Sequence, residues 1–469
     1  MKYDVIVVGA GTGGAVAAET SSRLGIKTLL LERKRSSEVG NKVCGDGIER
    51  YQFSDLNIPL PKGDVIQNTW KYMRIYAPNQ TNYLRINVQG ILVDRRKFGQ
   101  ALLKRAMDSN VEFRDEILVL GPIIKNHTVI GVKIKNKKTK LKENIYARVV
   151  IDASGFNSLL RKAMKSLYID NSIEKRDIWV CYREIIETGG VDYQLDHVRV
   201  GFSENRSPRE FWWAFPKSKT SLNIGVCVWG DSQTNAKKCY QAYYEKFILP
   251  RISSPISIIH KGGAVEPMRR PLSSLVENGI MFVGDAGCCV NPATGAGIGS
   301  SMRTGTLAGQ IASDAIESGV YSIDELWKYN QIFAKARAGG FSSLNLINIL
   351  FRKLSDEQLN YVFKAKLIDG DDLLRITVGR KLISNPIHIL ESVIGGIERP
   401  QILLYLFYLF LIITKIMKLY HSYPNRSKFQ RWKNSVQNIY NFAETLTPST
   451  SLLRKEKLIT LFKSIFKPR

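Results

Sequence analysis

The sequence predicts a mixed α/β fold. At the N-terminus, the apolar run 3–8 leads straight into a glycine-rich turn at 9–14. Strand-like runs then dominate 177–263, and the pattern from about residue 324 onward is helical. We therefore expect a Rossmann-like nucleotide-binding domain interleaved with an antiparallel substrate-binding sheet, followed by a C-terminal helical region.

The N-terminal turn has the pattern G-x-G-x-x-G, and the apolar run after its helix ends at Glu32. Gly9 permits a tight turn, Gly11 lets the backbone approach a pyrophosphate, and Gly14 allows close helix–strand packing. The Glu32 carboxylate can accept hydrogen bonds from ribose hydroxyls. These features predict a bound dinucleotide but do not separate NAD from FAD.

A second signal lies far downstream, where the apolar run 280–283 ends in Gly-Asp-Ala and a glycine-rich segment then opens a helix. Asp285 can accept from ribityl hydroxyls, and a helix starting at Gly297 and Ile298 directs its N-terminus at the flavin ring, where it stabilises negative charge. The two signals together resemble the FAD-dependent aromatic hydroxylases, and this resemblance implies FAD. In the same family, Arg95 matches an arginine near the pyrophosphate and Val119 a position beside the adenine.

Two further segments resemble the geranylgeranyl reductases, and this likeness extends over 3–440. The run Phe211-Trp-Trp-Ala-Phe-Pro216 is similar to their P-x-x-Y-x-W-x-F-P motif, with Phe211 at the tyrosine position. Cys44-Gly45-Asp-Gly47 is similar to a segment beside the flavin. The resemblance implies an FAD-dependent oxidoreductase that saturates isolated C=C bonds of geranylgeranyl chains on archaeal-type lipids, by alkene protonation and hydride transfer from flavin N5.

Each expected site residue also has a simpler interpretation. Phe211, Trp213 and Phe215 share one face of a strand and, with Pro216, line a prenyl tunnel or belong to the core. Cys44 lies at the flavin as a candidate catalytic residue or is a small buried hydrophobe. Four cations near the site bind a phosphate or pyrophosphate head group or are solvated: Arg269, Arg270, Lys217 and Lys219.

Two other functions are compatible with the same fold. One is an FAD-dependent monooxygenase or epoxidase acting on an apolar substrate, and the other is a non-catalytic lipid carrier that retains FAD. The electron donor is left open: the sequence has neither a second nucleotide-binding motif nor an iron–sulfur ligand set, so a ferredoxin or another reduced carrier is a candidate partner.

The formal net charge of +26 calls for an anionic partner or reflects a generally basic proteome. Without a nucleic-acid-binding module, we expect an anionic membrane surface or lipid rather than nucleic acid. The six cysteines have no metal-binding spacing, so we expect free thiols. The first strand starts at residue 3, so we expect no signal peptide. We expect the protein to be cytoplasmic and peripheral on the inner face of the cell membrane. The oligomeric state is left open, and a monomer fits the sequence.

Two C-terminal segments bear on the membrane. The apolar run 402–413 is shorter than the ~20 residues of a spanning helix, which favours a buried or interfacial helix. The basic tail 447–469 is amphipathic and lies on an anionic membrane or on the protein itself.

The predicted domains are discontinuous. The FAD-binding domain takes 1–66, 90–165 and 277–325, the substrate domain takes 67–89 and 166–276, and the helical region takes 326–446.

Overall fold

The computed structural model describes residues 3–204, 210–380, 395–396 and 398–448. Most of the predicted basic tail, from residue 449 onward, lies outside the described residues. The expected fold class is confirmed, with three sheets and a C-terminal helical region.

The elements are numbered in chain order. The strands are β1 (Tyr3–Val8), β2 (Thr28–Leu31), β3 (Gly47–Glu49), β4 (Ile66–Trp70), β5 (Tyr72–Tyr76), β6 (Tyr83–Ile86), β7 (Gly90–Val93), β8 (Glu112–Arg114), β9 (Ile117–Lys125), β10 (Thr128–Asn136), β11 (Lys142–Asp152), β12 (Ile178–Val191), β13 (His197–Phe202), β14 (Phe211–Pro216), β15 (Ser221–Trp229), β16 (Ile252–Pro267), β17 (Val276–Glu277) and β18 (Ile280–Phe282). The α-helices are α1 (Thr12–Arg23), α2 (Tyr51–Asp55), α3 (Arg95–Asp108), α4 (Leu159–Lys162), α5 (Ala236–Tyr243), α6 (Ile298–Ser318), α7 (Ile323–Phe333), α8 (Gly339–Phe351), α9 (Asp356–Lys364), α10 (Gly370–Thr377), α11 (Pro400–His421) and α12 (Phe429–Thr445).

The first sheet is the nucleotide-binding one. β1 lies between β2 and β11 and is parallel to both, and β18 continues the parallel order beyond β11. All six side chains of β1 are buried or nearly so, as expected for a strand covered on both faces. The carboxyl ends of these parallel strands therefore meet at one edge, where the turn at 9–14 and the segment after β18 come together.

The second sheet has the order β16-β12-β15-β14-β13-β5-β6 and is antiparallel except where β13 runs parallel to β5. It draws its strands from the two segments predicted for the substrate domain. Trp212 and Ala214 on one face of β14 pack in an apolar cluster with α5. The opposite face, with Phe211, Trp213 and Phe215, turns towards the first sheet. The exact domain boundaries remain a prediction.

The C-terminal apolar run lies within α11, a helix of 22 residues that packs against α8. Among the described residues it is the one helix long and apolar enough to cross a membrane, and half of its most apolar window is buried. The helix is longer than the apolar run because Thr414, Lys415 and Lys418 continue it. Its outer side exposes Phe407 and Phe410.

One expectation about the cysteines is wrong. Cys181 on β12 lies directly opposite Cys227 on β15, with their Cα atoms 4.1 Å apart, and the two form a disulfide. Sequence spacing gave no indication of this pair, because cross-strand register brings together residues 46 positions apart. Cys44, Cys288 and Cys289 are free thiols, as expected.

Candidate active site

A cavity of about 360 Å³ lies at the carboxyl edge of the first sheet, and we call it the nucleotide cavity. Its lining includes six of the twelve residues that the sequence assigned to the cofactor. These are Gly9, Gly11, Glu32, Arg95, Val119 and Asp285.

The glycines of the N-terminal turn have distinct roles. Gly9 has φ +98°, which L side chains rarely adopt, and a Cβ there would lie 2.6 Å from the Ala153 carbonyl oxygen. A Cβ on Gly14 would lie 1.8 Å from the Gly9 carbonyl oxygen, so Gly14 packs α1 against the turn and does not line the cavity. A Cβ on Gly11 would meet nothing within 4 Å, because this position opens into the cavity. These placements match the role expected for each glycine.

Two charged side chains fit an adenosine diphosphate group. Glu32 Oε2 accepts from the Ala10 N–H at 2.8 Å, which holds the carboxylate beside the turn. Arg95 donates from Nη2 to Thr12 Oγ1 at 2.7 Å. Its Nε and Nη1 are buried without a partner among the described residues. Since two orphaned guanidinium donors beside a glycine cradle are what an anionic pyrophosphate requires, the cavity fits the FAD that the sequence predicts.

Lys42 is a cavity residue that the sequence analysis missed. Its Nζ lies 2.7 Å from Asp285 Oδ2, and so an ion pair joins the segment after β2 to the segment after β18. No motif signalled this lysine, since only the fold brings positions 42 and 285 together.

A second, mostly apolar cavity of about 90 Å³ adjoins the first, and we call it the aromatic cavity. It is built from the inner face of the second sheet and from two short segments, 43–47 and 294–298. The first segment follows Lys42 directly, and a Cβ on Gly297 in the second would lie 3.6 Å from Asp285 Oδ1. Cys44, Gly45, Gly47, Gly297 and Ile298, all expected at the flavin, line this second cavity. Gly297 is the N-cap of α6, so the predicted helix start is confirmed.

The aromatic walls come mainly from β14. Phe211, Trp213 and Phe215 all line the cavity. Phe211 stacks on Trp179 with ring centroids 5.0 Å apart, and Trp213 Nε1 donates to Asn223 Oδ1 at 2.9 Å. Pro216 lies at the strand end outside the lining.

A buried ion pair holds the Cys44 segment in place. Asp46 is 1% exposed, has φ +65°, and accepts from Lys217 Nζ at 2.8 Å. Asn223 Nδ2 also donates to Asp46 Oδ2 and to the Cys44 carbonyl oxygen. Lys217 was expected among the cations for a phosphate head group, but its ammonium group is buried and paired with Asp46.

Arg270 is not brought to either cavity. Its guanidinium lies 4.1 Å from the Tyr440 ring centroid and donates to Gln437 Oε1 at 2.9 Å, so it fastens the C-terminal helix α12. The structure places the Arg270 side chain against α12, and its expected contact with a head group stays a prediction. Arg269 is likewise buried beside Asp170 and Asp177.

Three acids that line the aromatic cavity have raised pKa values. Burial, aided by the Asp46 carboxylate, raises the pKa of the Cys44 thiol. Burial raises the pKa of Glu266 to about 8; the nearby Asp285 adds to the rise and Lys42 opposes it. Burial also raises the pKa of Glu49. Sequence analysis missed both glutamates, which lie in no motif.

The sequence of this chain is similar to that of known FAD-dependent reductases. Residues 4–177 match the FAD dependent oxidoreductase family, and residues 177–265 match the geranylgeranyl reductase catalytic domain. A digeranylgeranylglycerophospholipid reductase from Sulfolobus acidocaldarius is 32% identical over 442 residues, which cover 94% of this chain and 97% of that protein. The chain belongs to the geranylgeranyl reductase family. The digeranylgeranylglycerophospholipid reductase 2 of Methanopyrus kandleri is 28% identical over 86% of the chain and 98% of its own length. FAD is accordingly the cofactor of this geranylgeranyl reductase family member.

Solved structures agree on the fold of this family member. A geranylgeranyl bacteriochlorophyll reductase-like protein from Thermoplasma acidophilum superposes with a TM-score of 0.73 at 24% identity and covers 87% of this chain and 99% of its own. A myxobacterial FAD-dependent chondrochloren halogenase has a TM-score of 0.62 at 16% identity, with 84% and 96% coverage. Because enzymes of different chemistry share the fold, the fold alone does not select the reaction.

Proposed function

We propose that this protein is an FAD-dependent reductase that saturates isolated C=C bonds in geranylgeranyl chains of archaeal-type lipids. One observation carries the proposal. The aromatic cavity, walled by Phe211, Trp213 and Phe215, adjoins the nucleotide cavity along the segments 43–47 and 294–298. An apolar isoprenoid unit and a flavin ring can therefore be held side by side, out of bulk water.

The chemistry divides between cofactor and protein. Reduced FAD, when bound, supplies a hydride. An isolated trisubstituted alkene is not electrophilic, so the protein has to deliver a proton to one alkene carbon while hydride reaches the other. The aromatic and aliphatic walls exclude water and align the chain, and the Asp46–Lys217 pair fixes the Cys44 segment beneath it.

The test is anaerobic turnover. Purified protein with photoreduced FAD under argon is mixed with an unsaturated geranylgeranyl lipid, with the fully saturated lipid as the matched control. The proposal predicts flavin reoxidation with the unsaturated lipid alone and a mass gain of two hydrogens per double bond. Oxygen insertion that needs air would favour a monooxygenase, and lipid binding without flavin reoxidation would favour a carrier; either result contradicts the proposal.

We also propose that an acidic one-electron carrier of the ferredoxin type delivers the electrons. The support is the net charge of +26, which favours encounter with an acidic partner. Reduction of bound FAD by reduced ferredoxin should be fast at low salt and slow as salt screens the charges, whereas NADPH should reduce it poorly. Fast, salt-independent reduction by NADPH would contradict this.

We further propose that the protein works on an anionic membrane surface through the outer side of α11. Phe407 is 51% exposed and Phe410 is 40% exposed, and Lys418 is exposed about two turns beyond Phe410. The protein should float with anionic vesicles and less with zwitterionic ones. Replacing both phenylalanines by serine should reduce flotation, with deletion of 449–469 tested separately. Unchanged flotation of both variants would exclude these two contacts.

A further inference from the structure

The reaction proposed above needs a proton donor inside the aromatic cavity, and the described lining offers three carboxyl groups and one thiol. The carboxyl groups belong to Asp46, Glu49 and Glu266, and the thiol is Cys44. A donor has to hold a proton at neutral pH, face the cavity and have no stronger internal partner. These three conditions separate the four groups.

Asp46 fails because its Oδ2 already has two internal partners: Lys217 Nζ and Asn223 Nδ2 both donate to it. Glu49 is opposed by a hydrogen bond from the Gln52 side chain and by the positive charge of Arg337, each of which favours its charged form. Cys44 keeps its proton, but burial makes an already weak acid weaker.

Glu266 meets all three conditions. It lies on β16 opposite Trp179 of β12, on the sheet face that walls the cavity. Among the described residues, no N–H or O–H group donates to its carboxyl group. The nearest sulfur, Cys181 Sγ, is 3.9 Å from Oε1 but has no proton to donate because it is bonded to Cys227.

The Glu266 carboxyl group packs closely against Gly295. A Cβ on Gly295 would lie only 2.6 Å from Glu266 Oε1, so the carboxyl oxygen rests against the backbone of the segment that leads into α6. This is the segment that adjoins the Asp285 turn of the nucleotide cavity. Glu266 therefore lies where the two cavities meet.

The charges around Glu266 keep it neutral. Asp285 repels a negative charge on Glu266, and Lys42 attracts one but is already paired with Asp285 at 2.7 Å. With no donor to stabilise the carboxylate and with apolar walls around it, the protonated form is favoured.

We propose that Glu266 is the catalytic acid that protonates the alkene, an inference that rests on the reductase function proposed above. The π electron pair of the C=C bond takes the proton from the Glu266 carboxyl group, forming one C–H bond and leaving a carboxylate. The more substituted carbon, now electron-deficient, receives the hydride that reduced FAD supplies, and solvent later returns a proton to Glu266. The net change is addition of two hydrogens to the alkene and two-electron oxidation of the reduced cofactor to FAD. The new carboxylate faces the electron-deficient carbon and stabilises it.

The kinetic test compares Glu266→Gln with wild type in single-turnover, lipid-dependent flavin reoxidation under argon. Removing the acid should slow this step at least about 100-fold. FAD affinity should change less than about twofold, because the amide keeps the shape. Glu245→Gln, an exposed glutamate outside both cavities, is the matched control and should keep the wild-type rate.

A second readout does not depend on turnover. Infrared difference spectra of wild type minus Glu266→Gln, with oxidised FAD bound, should show a protonated carboxyl C=O band at pH 7 that fades above about pH 8. Absence of that band at pH 7 would overturn the inference.

The remaining outcomes are distinct. An active wild type with a Glu266→Gln variant within threefold of its rate overturns the role of Glu266, and more so if Cys44→Ser or Glu49→Gln is inactive instead. A wild type that reduces no lipid contradicts the proposed function itself. Only an active wild type, a slow Glu266→Gln variant and the neutral carboxyl band together support the inference.

Discussion

The nucleotide cavity and the aromatic cavity are neighbours built in opposite ways. The first is lined largely by glycine turns and polar side chains, such as Gly9, Gly11 and Glu32, around the carboxyl ends of parallel strands. The second is formed by residues from eight strands and two loop segments, gathered from positions 43 to 298. The first cavity fixes a cofactor, and the second cavity determines what is done with it.

The polar groups of the two cavities also differ. Arg95 in the nucleotide cavity has free donors that await an anion. Glu266 in the aromatic cavity accepts no hydrogen bond from an N–H or O–H group of the described residues, and burial raises its pKa to about 8. The nucleotide cavity therefore has donors for an anionic group, whereas the aromatic cavity has, in our proposal, a protonated acid in mostly apolar surroundings.

The largest effect is expected from breaking the ion pair beneath the aromatic cavity. Lys217→Met leaves the Asp46 carboxylate buried with Asn223 as its remaining side-chain donor, and should lower the free energy of unfolding by about 3–5 kcal/mol. Urea denaturation measures this. Lys219→Met, at a neighbouring exposed position, should change stability by less than about 0.5 kcal/mol. Equal effects of both variants would show that the pair does not anchor the Cys44 segment.

The nucleotide cavity can be tested with two alanine substitutions in one turn. Gly14→Ala drives a Cβ into the Gly9 carbonyl oxygen and should cost about 3 kcal/mol of stability in the FAD-free protein. Gly11→Ala meets no atom within 4 Å, so FAD-free stability should hold within about 0.5 kcal/mol. Its methyl group enters the cradle, however, and FAD affinity should fall at least about tenfold. Normal FAD affinity in Gly11→Ala would mean that the pyrophosphate lies elsewhere.

A pH series on the free energy of unfolding tests the protonation of Glu266. Its pKa is about 8 in the folded protein against 4.5 ordinarily, so between these values the folded state holds a proton that the unfolded state has lost. Stability from this group should therefore fall as pH rises from about 5 to 8, by at most about 1.4 kcal/mol per pH unit, and solvent in the open cavity reduces this slope. Glu266→Gln should lack the slope, whereas Glu245→Gln should follow wild type. Parallel curves for all three proteins would mean that Glu266 is ionised.

The smallest effect is expected at Arg270. Because its guanidinium packs on Tyr440 and Gln437, Arg270→Ala should cost about 1 kcal/mol or less of stability. The KM for a phospholipid substrate should stay within about twofold of wild type. A tenfold rise in KM with unchanged stability would support the head-group role that its sequence position suggests.

The sequence predicted the nucleotide cavity well because its chemistry is local. A tight turn, a helix start and a strand-end acid need fixed spacings, so Gly9 to Gly14, Glu32 and Asp285 can be recognised without a structure. The aromatic strand was also predictable, since residues two apart on a strand share a face.

The rest of the site depends on register between distant strands. Glu266 reaches the cavity because β16 pairs with β12, and Cys181 meets Cys227 because β12 pairs with β15. The internal partner of Lys217 could not be predicted, because a cation near a motif looks the same in sequence whether it faces a ligand or a buried carboxylate. Composition and spacing carry no record of these long-range partners.

The central claim is that reduction takes place in the aromatic cavity while FAD is held by the other one. Ala264→Trp tests it most directly, since Ala264 lines only the aromatic cavity and a tryptophan there fills the space for an isoprenoid unit. The measurement is anaerobic, lipid-dependent reoxidation of reduced FAD. The account predicts FAD affinity within about threefold of wild type and a rate at least about 100-fold lower, equivalent to about 2.7 kcal/mol. Lipid reduction at the wild-type rate in an FAD-loaded Ala264→Trp variant would contradict it.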